Sequence, residues 1–157
     1  KKHLICGMIG LRYIFYVLIK GGDIDLALYM IEREDEPSYG SLIKRGCTAL
    51  CEILLKEHVH QSENHHFLGD IIRIFINYVA GLQINPNLNN HNEVLFSPII
   101  PSSIDEANAE YGDIKAGWKK DKNGILAHIE VPNGVSGKFV FGEREEVLKE
   151  GLNEFVI

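Results

Sequence analysis

Four histidines, His58, His60, His65 and His66, fall within nine residues, "HVHQSENHH" (58–66), and a carboxylate, Glu52, lies just upstream in "GCTALCEILLKE" (46–57). Imidazoles close to a carboxylate suit either metal binding or acid–base and hydrogen-bond chemistry on a polar substrate. A zinc site needs three or four converging ligands, commonly as HxxxH on one helix face. His58 and His60 are two apart, which suits a strand or loop, and His65 and His66 are adjacent, so a helix would send them in different directions. The spacing therefore favours polar loop groups over a metal centre, and no cofactor is expected. By residue type alone, Glu52 is an ordinary solvated helix glutamate.

Cys6, Cys47 and Cys51 are an odd number with no CxxC pattern. Cys47 and Cys51 stand four apart on an expected helix, where they share a face but lack disulfide geometry, so reduced, buried thiols are expected.

The elements that must position these groups divide the chain in two. Residues 8–20, "MIGLRYIFYVLIK", are apolar almost all round and predict a helix buried on most sides. Gly21-Gly22 stops it, and Asp23 is a fitting N-cap for a second helix with Ile24, Leu28 and Ile31 on one stripe. "EPSYGS" (36–41) reads as a turn. A third helix is predicted over roughly 46–57, with Ala49, Leu50, Ile53 and Leu54 facing a core and Glu52 near its start. A fourth is predicted over about 65–80, with Phe67, Ile71, Ile74, Phe75 and Tyr78 at helical spacing.

After an Asn- and Pro-rich connector (85–92) the period changes to two. "EVLFSPIIP" is strand-like, and Ile114, Ala116 and Trp118 alternate with polar residues. Asn123-Gly124 supplies a hairpin turn, and Ile125, Ala127, Ile129 and Val131 alternate back. "PNGV" turns into "SGKFVF", and "EVLKEGLNEFVI" predicts a last hairpin pivoting near Gly151. The fold class expected is α+β: two helical hairpins over 1–84, then a small antiparallel β-sandwich of about six strands over 85–157.

At 157 residues the chain suffices for one ordinary domain or a small domain plus part of another. Residues 1–84 carry nine Lys and Arg against ten Asp and Glu, and 85–157 carry seven against twelve. Neither half has the basic patch that nucleic-acid binding requires. The longest apolar run, "YIFYVLI", is too short to span a bilayer, so no membrane partner is expected. The helices hold more apolar surface than so short a bundle buries and the chain does not begin with Met, so a sector of a larger helical domain is expected. Its exposed inner surface would favour a homo-oligomer.

Five segments, in order, resemble the C-terminal end of the bacterial α-L-rhamnosidases. "CGMIG" keeps Gly7 and Gly10 of a "TG-x-x-G" helix opening. "EPSYGS" matches a "yPSWGy" turn, "GCTALCEIL" a "GaTTlWErW" segment and "SENHHFLG" an "S-x-N-H-y-x-x-G" segment. "PSSIDEANAEYGDIKAGWKK" follows a "P…a…y.tp.G.i…W" stretch that ends on Trp118. The resemblance spans roughly residues 3–157. It implies an (α/α)6-barrel catalytic domain followed by a β-sandwich, and hydrolysis of terminal α-L-rhamnosyl residues with inversion.

Inversion needs a general acid and a general base on opposite sides of the scissile bond. The resemblance assigns the base to Glu52 and a sugar contact to His65, with Asn64 capping the next helix or positioning His65, and Tyr39 offering an aromatic face in place of the family's Trp. It places the general acid in an upstream barrel loop, which nothing in 1–51 resembles, so this chain alone is expected to be inactive. Cys51 stands for the family's Trp before the base, Ile53-Leu54 for the following Arg-Trp, and Arg12 for a small residue or Pro. Those departures imply another deoxy-sugar or uronic-acid specificity, or lost activity. The family is bacterial, and cytoplasmic and periplasmic placement both stay open. The rival reading is a non-catalytic carbohydrate-binding or structural module, although Trp118 alternates with Ile114 and Ala116 and so belongs on a core face.

The spacing argument has a direct check. Calorimetric titration of the chain with zinc is expected to show no stoichiometric complex, whereas tight one-to-one binding lost on His58→Ala would restore the metal reading.

Overall fold

The computed structural model describes residues 3–55, 62–85 and 92–157 and divides into two compact units, 1–72 and 73–157. His58, His60 and most of the 85–92 connector lie outside the described residues.

In the first unit, α1 (Met8–Lys20) and α2 (Ile24–Glu32) form as the periodicity predicts, with the chain turning at Gly21-Gly22. Asp23 occupies the N-cap of α2, but its side chain makes no cap bond; its carbonyl accepts from the Ala27 amide at 3.1 Å. Ile24, Leu28 and Ile31 are buried. The expectation that α1 is buried on most sides fails in part. Leu11, Phe15 and Ile19 are buried, whereas Ile9, Tyr13 and Val17 are 77, 56 and 68% exposed. Both sets recur every four residues, so α1 has two opposed apolar stripes, and the unit covers only one.

"EPSYGS" is not merely a turn. Ser38 is fully buried and caps a short helix, α3 (Tyr39–Lys44), its Oγ accepting from the Ser41 amide at 3.0 Å and donating to the Arg33 carbonyl at 2.5 Å. Gly40 sits where a Cβ would overlap the carbonyl oxygens of Glu32 and Arg33, so glycine here permits close approach of α3 to the end of α2.

The helix predicted over 46–57 does not form among its described residues. Gly46 takes a left-handed φ of 78°, and the Gly46 and Cys47 amides bond back to the Ile43 and Leu42 carbonyls. That cap closes α3, and residues 47–55 follow as bends and irregular backbone. Ala49 is exposed and Leu54 buried, so the apolar spacing that imitates a helix does not mark one buried face. The predicted fourth helix is a composite: a 3-10 turn (His66–Asp70), an α-turn, α4 (Ile71–Ile74), and a π-turn (Phe75–Val79). Leu68, Ile74 and Val79 are its buried residues, while Phe67 and Phe75 are exposed.

The second unit holds two four-stranded sheets. One has the order β1 (Leu82–Ile84), β2 (Glu93–Phe96), β6 (Ser136–Phe141), β7 (Arg144–Val147); the other β3 (Glu106–Tyr111), β4 (Ile114–Asp121), β5 (Gly124–Val131), β8 (Gly151–Val156). All neighbours are antiparallel except β2 and β6, which run parallel, with Phe96 beside Phe139. The β4–β5 hairpin forms as predicted, but Gly124 already pairs with Asp121, so Lys122-Asn123 make the turn. The predicted last hairpin is not one: β7 pairs with β6 and β8 with β5, in different sheets.

The sandwich core is aromatic. Phe139 from one sheet stacks on Phe155 from the other with ring centroids 3.9 Å apart and planes 7° from parallel, and Phe96 lies 5.6 Å from Phe139. Trp118 is 0% exposed, and its indole N–H donates to the Val79 carbonyl at 2.6 Å, fastening the π-turn onto β4. Trp118→Phe leaves that buried carbonyl unpaired, and we expect a loss of about 1–3 kcal/mol of stability in this unit, read as a lower urea midpoint.

Candidate active site

Glu52 lies on no helix. It is half-buried, and its position is set by backbone bonds to the segment that carries the histidines. The Glu52 amide donates to the Ser62 carbonyl at 2.8 Å, the Ser62 amide donates to Glu52 Oε2 at 3.3 Å, and the His65 amide donates to the Leu50 carbonyl at 2.7 Å. Residues 50–52 and 62–65 therefore run side by side, and the structure brings together the two stretches that the sequence singled out. Cys51, Leu54 and Leu68, within or next to these stretches, are buried.

Glu52 lines a cleft of about 530 Å³ and is the one carboxylate among its described lining residues. The rest of the wall is largely aliphatic, with Leu4, Ile5, Leu11, Ile53 and Leu54. Ile53 and Leu54 are two of the positions at which the sequence departs from the family pattern, so that departure falls on the wall of the cleft itself. Cys6 and Gly7, from the "CGMIG" segment, line it too.

His65 is half-buried beside this clamp and not in the described wall of the cleft. Its ring stacks on Phe67 at 5.7 Å and on His66 at 6.1 Å. His65, rather than Asn64, occupies the N-cap position of the 3-10 turn, and no side chain caps it; Asn64 is exposed, with its amide donating to Ser62 Oγ at 3.3 Å. Among the described residues no group of three or more His, Cys, Asp or Glu could hold a metal ion.

Tyr39 is buried, and its hydroxyl donates to the Leu68 carbonyl at 3.1 Å. Burial, and next the nearby Asp70, raise its phenol above the ordinary tyrosine range, so it stays a neutral donor. The ring packs 6.3 Å from Phe15 of α1. Asp70, which sequence reasoning did not single out, receives Arg12 Nε at 3.6 Å and the Tyr16 hydroxyl at 3.3 Å, so Arg12, one of the departures, has a partner from the turn that follows the histidines.

The helical unit thus holds a carboxylate on a cleft, bonded to a histidine-bearing loop, and comparison with known proteins gives the class. The family model of the bacterial alpha-L-rhamnosidase 6 hairpin glycosidase domain matches residues 1–79, and the chain belongs to that family. A curated alpha-L-rhamnosidase from Formosa agariphila is 26% identical over an alignment of 151 residues that covers 91% of this chain and 16% of that protein. The structure of alpha-L-rhamnosidase from Dictyoglumus thermophilum superposes with a TM-score of 0.75 at 27% identity, over 88% of this chain and 16% of that one. The Streptomyces avermitilis alpha-L-rhamnosidase complexed with L-rhamnose shares the fold, with a TM-score of 0.78 at 21% identity, over 88% and 14%. The likeness thus runs past the helical unit into the sandwich, and the chain spans about a sixth of the length of such relatives.

The Tyr39 bond can be separated from any contact with substrate. Tyr39→Phe is expected to lower stability by about 1–2 kcal/mol, measured by chemical denaturation, because the Leu68 carbonyl loses its buried donor.

Proposed function

We propose that this chain is the C-terminal portion of a glycoside hydrolase that removes terminal α-L-rhamnosyl residues, or those of a closely similar deoxy sugar, with inversion. Residues 1–84 are the last part of the (α/α)6-barrel catalytic domain and 85–157 the C-terminal β-sandwich. Glu52 is the general base that draws a proton from the attacking water. His65 donates a hydrogen bond to the sugar, Asn64 supports it from the exposed side of the same loop, and Tyr39 shapes the wall beneath. The general acid comes from a barrel loop outside these 157 residues, roughly 6.5–9.5 Å from the base as inversion requires. The isolated chain therefore holds half of the catalytic pair and is inactive.

The observation that carries this reading is the placement of Glu52: the one carboxylate among the described residues of a largely aliphatic cleft, held by backbone bonds to the His65 loop. An aliphatic wall also favours a deoxy sugar, whose methyl group it can cover, over a uronic acid, whose carboxylate it would desolvate without a partner. Trp118, the chain's one tryptophan, is buried as its alternation predicts and offers no sugar platform, which counts against the binding-module reading. The substrate is a rhamnose-containing glycoside or oligosaccharide. The exposed α1 stripe, Ile9, Tyr13 and Val17, is the surface that further barrel helices would cover, and through which isolated copies would associate.

In the full-length protein, Glu52→Gln is expected to cut hydrolysis of an aryl α-L-rhamnoside by roughly 10²–10⁴-fold with folding unchanged, because it removes a base but keeps the shape. Near wild-type turnover in that variant removes Glu52 from the mechanism.

A further inference from the structure

The absence of the helix predicted over 46–57 changes what Cys47 and Cys51 can do. On a helix, thiols four residues apart do not meet disulfide geometry. Here the backbone from Cys47 to Glu52 is non-helical, and the two sulfurs are 3.8 Å apart with both thiols free. A disulfide needs about 2.05 Å, so closure requires a movement of under about 2 Å in a segment that no helical ladder holds. Accessibility is divided between them: Cys47 is half-buried and can meet a solvent oxidant, while Cys51 is 6% exposed. Burial, then the contact with Cys47, raise the Cys51 thiol above its ordinary value, which keeps it from reacting first.

We propose that Cys47 and Cys51 form an oxidation-sensitive dithiol, and that its closure to a disulfide displaces Glu52. The chemistry balances with a peroxide as oxidant. The Cys47 thiolate attacks one peroxide oxygen, the O–O bond breaks, and hydroxide leaves and takes up a proton to become water, giving a sulfenic acid on Cys47. The Cys51 sulfur then attacks the Cys47 sulfur, the S–O bond breaks, and a second water departs with the Cys51 proton. The two thiols have lost two electrons and the peroxide has gained them.

The coupling to Glu52 is covalent and short. Cys51 directly precedes Glu52, and the bonds that clamp this stretch to the histidine loop flank Cys51 on both sides, through the Leu50 carbonyl and the Glu52 amide. Pulling the Cys51 sulfur toward Cys47 moves the backbone between those two bonds. This half of the proposal rests on the reading of Glu52 as the base; disulfide closure itself does not.

Peptide mapping of the full-length protein tests both halves. After treatment with hydrogen peroxide, denaturing alkylation and trypsin, the peptide 46–56, released by cleavage after Arg45 and Lys56, is expected to be unalkylated and lighter than its reduced form by two hydrogens. Dithiothreitol before alkylation is expected to restore double alkylation. Cys6 lies on a separate tryptic peptide and does not confuse the assignment. With Cys47→Ser, Cys51 stays alkylatable after the same treatment; with Cys51→Ser, Cys47 is trapped as a dimedone-reactive sulfenic acid. Full alkylation of both cysteines in the oxidised wild type, or over-oxidised Cys47 beside an alkylated Cys51, overturns the pair. In parallel, oxidation is expected to lower aryl α-L-rhamnoside hydrolysis by roughly ten- to a hundred-fold, reversibly with dithiothreitol and not in Cys47→Ser. Closure without loss of turnover overturns the coupling and leaves the disulfide standing. A reduced protein with no turnover overturns the reading of Glu52, while the mapping still decides the pair.

Discussion

The candidate site depends on one constraint: backbone groups of residues 50–52 must find partners without a helix. Once Gly46 has ended α3, the Leu50 carbonyl and the Glu52 amide have no helical turn to satisfy them, and a buried peptide group left unpaired costs about 1–3 kcal/mol. They pair instead with the His65 amide and the Ser62 carbonyl. The base candidate and the histidine loop are thereby joined as a consequence of backbone accounting. Each such bond contributes only about 0.5–1.5 kcal/mol net, and the burial of Cys51, Leu54 and Leu68 adds to it in the same stretch of chain. Tyr39 serves the same end from below, by holding the Leu68 carbonyl that precedes the turn into Gly69.

The two units spend their bonds differently. In the second, strand ladders, the Phe96–Phe139–Phe155 cluster and Trp118 leave little backbone without a regular partner. In the first, the site is built from bends, a six-residue helix and a 3-10 turn. Segments with few regular hydrogen bonds open at lower free energy than strands in a sheet core. The candidate site is therefore built from the part of the chain expected to open most readily.

What could be read from the sequence follows from which signals are local. α1, α2 and the β4–β5 hairpin were legible because apolar period and turn chemistry act within about a dozen residues. The helix over 46–57 was misread because Ala49, Leu50, Ile53 and Leu54 imitate helical spacing, while the deciding residue, Gly46, stands before them. The last hairpin was misread for another reason: period two tells which face a residue takes, not which strand lies beside it, and β7 and β8 join different sheets. β1 and β3 carry weak local signals: β1 is three residues long, and β3, "EANAEY", shows one buried residue in six and so little alternation. Glu52 was legible only through its resemblance to the family segment. Its composition is that of any helix glutamate, and the partner Asp70 gave no signal at all, because its value lies in meeting Arg12 and Tyr16 from distant parts of the chain.

The departures from the family pattern gather around one place. Cys51 for Trp, and Ile53 and Leu54 for Arg and Trp, flank Glu52 on both sides, and Ile53 and Leu54 form cleft wall. Loss of two large aromatics at the candidate site removes stacking surface, and loss of the arginine removes a charge that would hold a carboxylate or hydroxyl. The replacements are smaller and apolar, so the wall keeps its dryness but not its planar faces. A thiol in place of an indole also leaves Cys51 small enough to reach the Cys47 sulfur in the space beneath the clamp. The substitution that removes an indole from the family pattern is therefore the same one that gives the chain a second thiol beside Glu52, and both consequences follow from the size and chemistry of a single side chain.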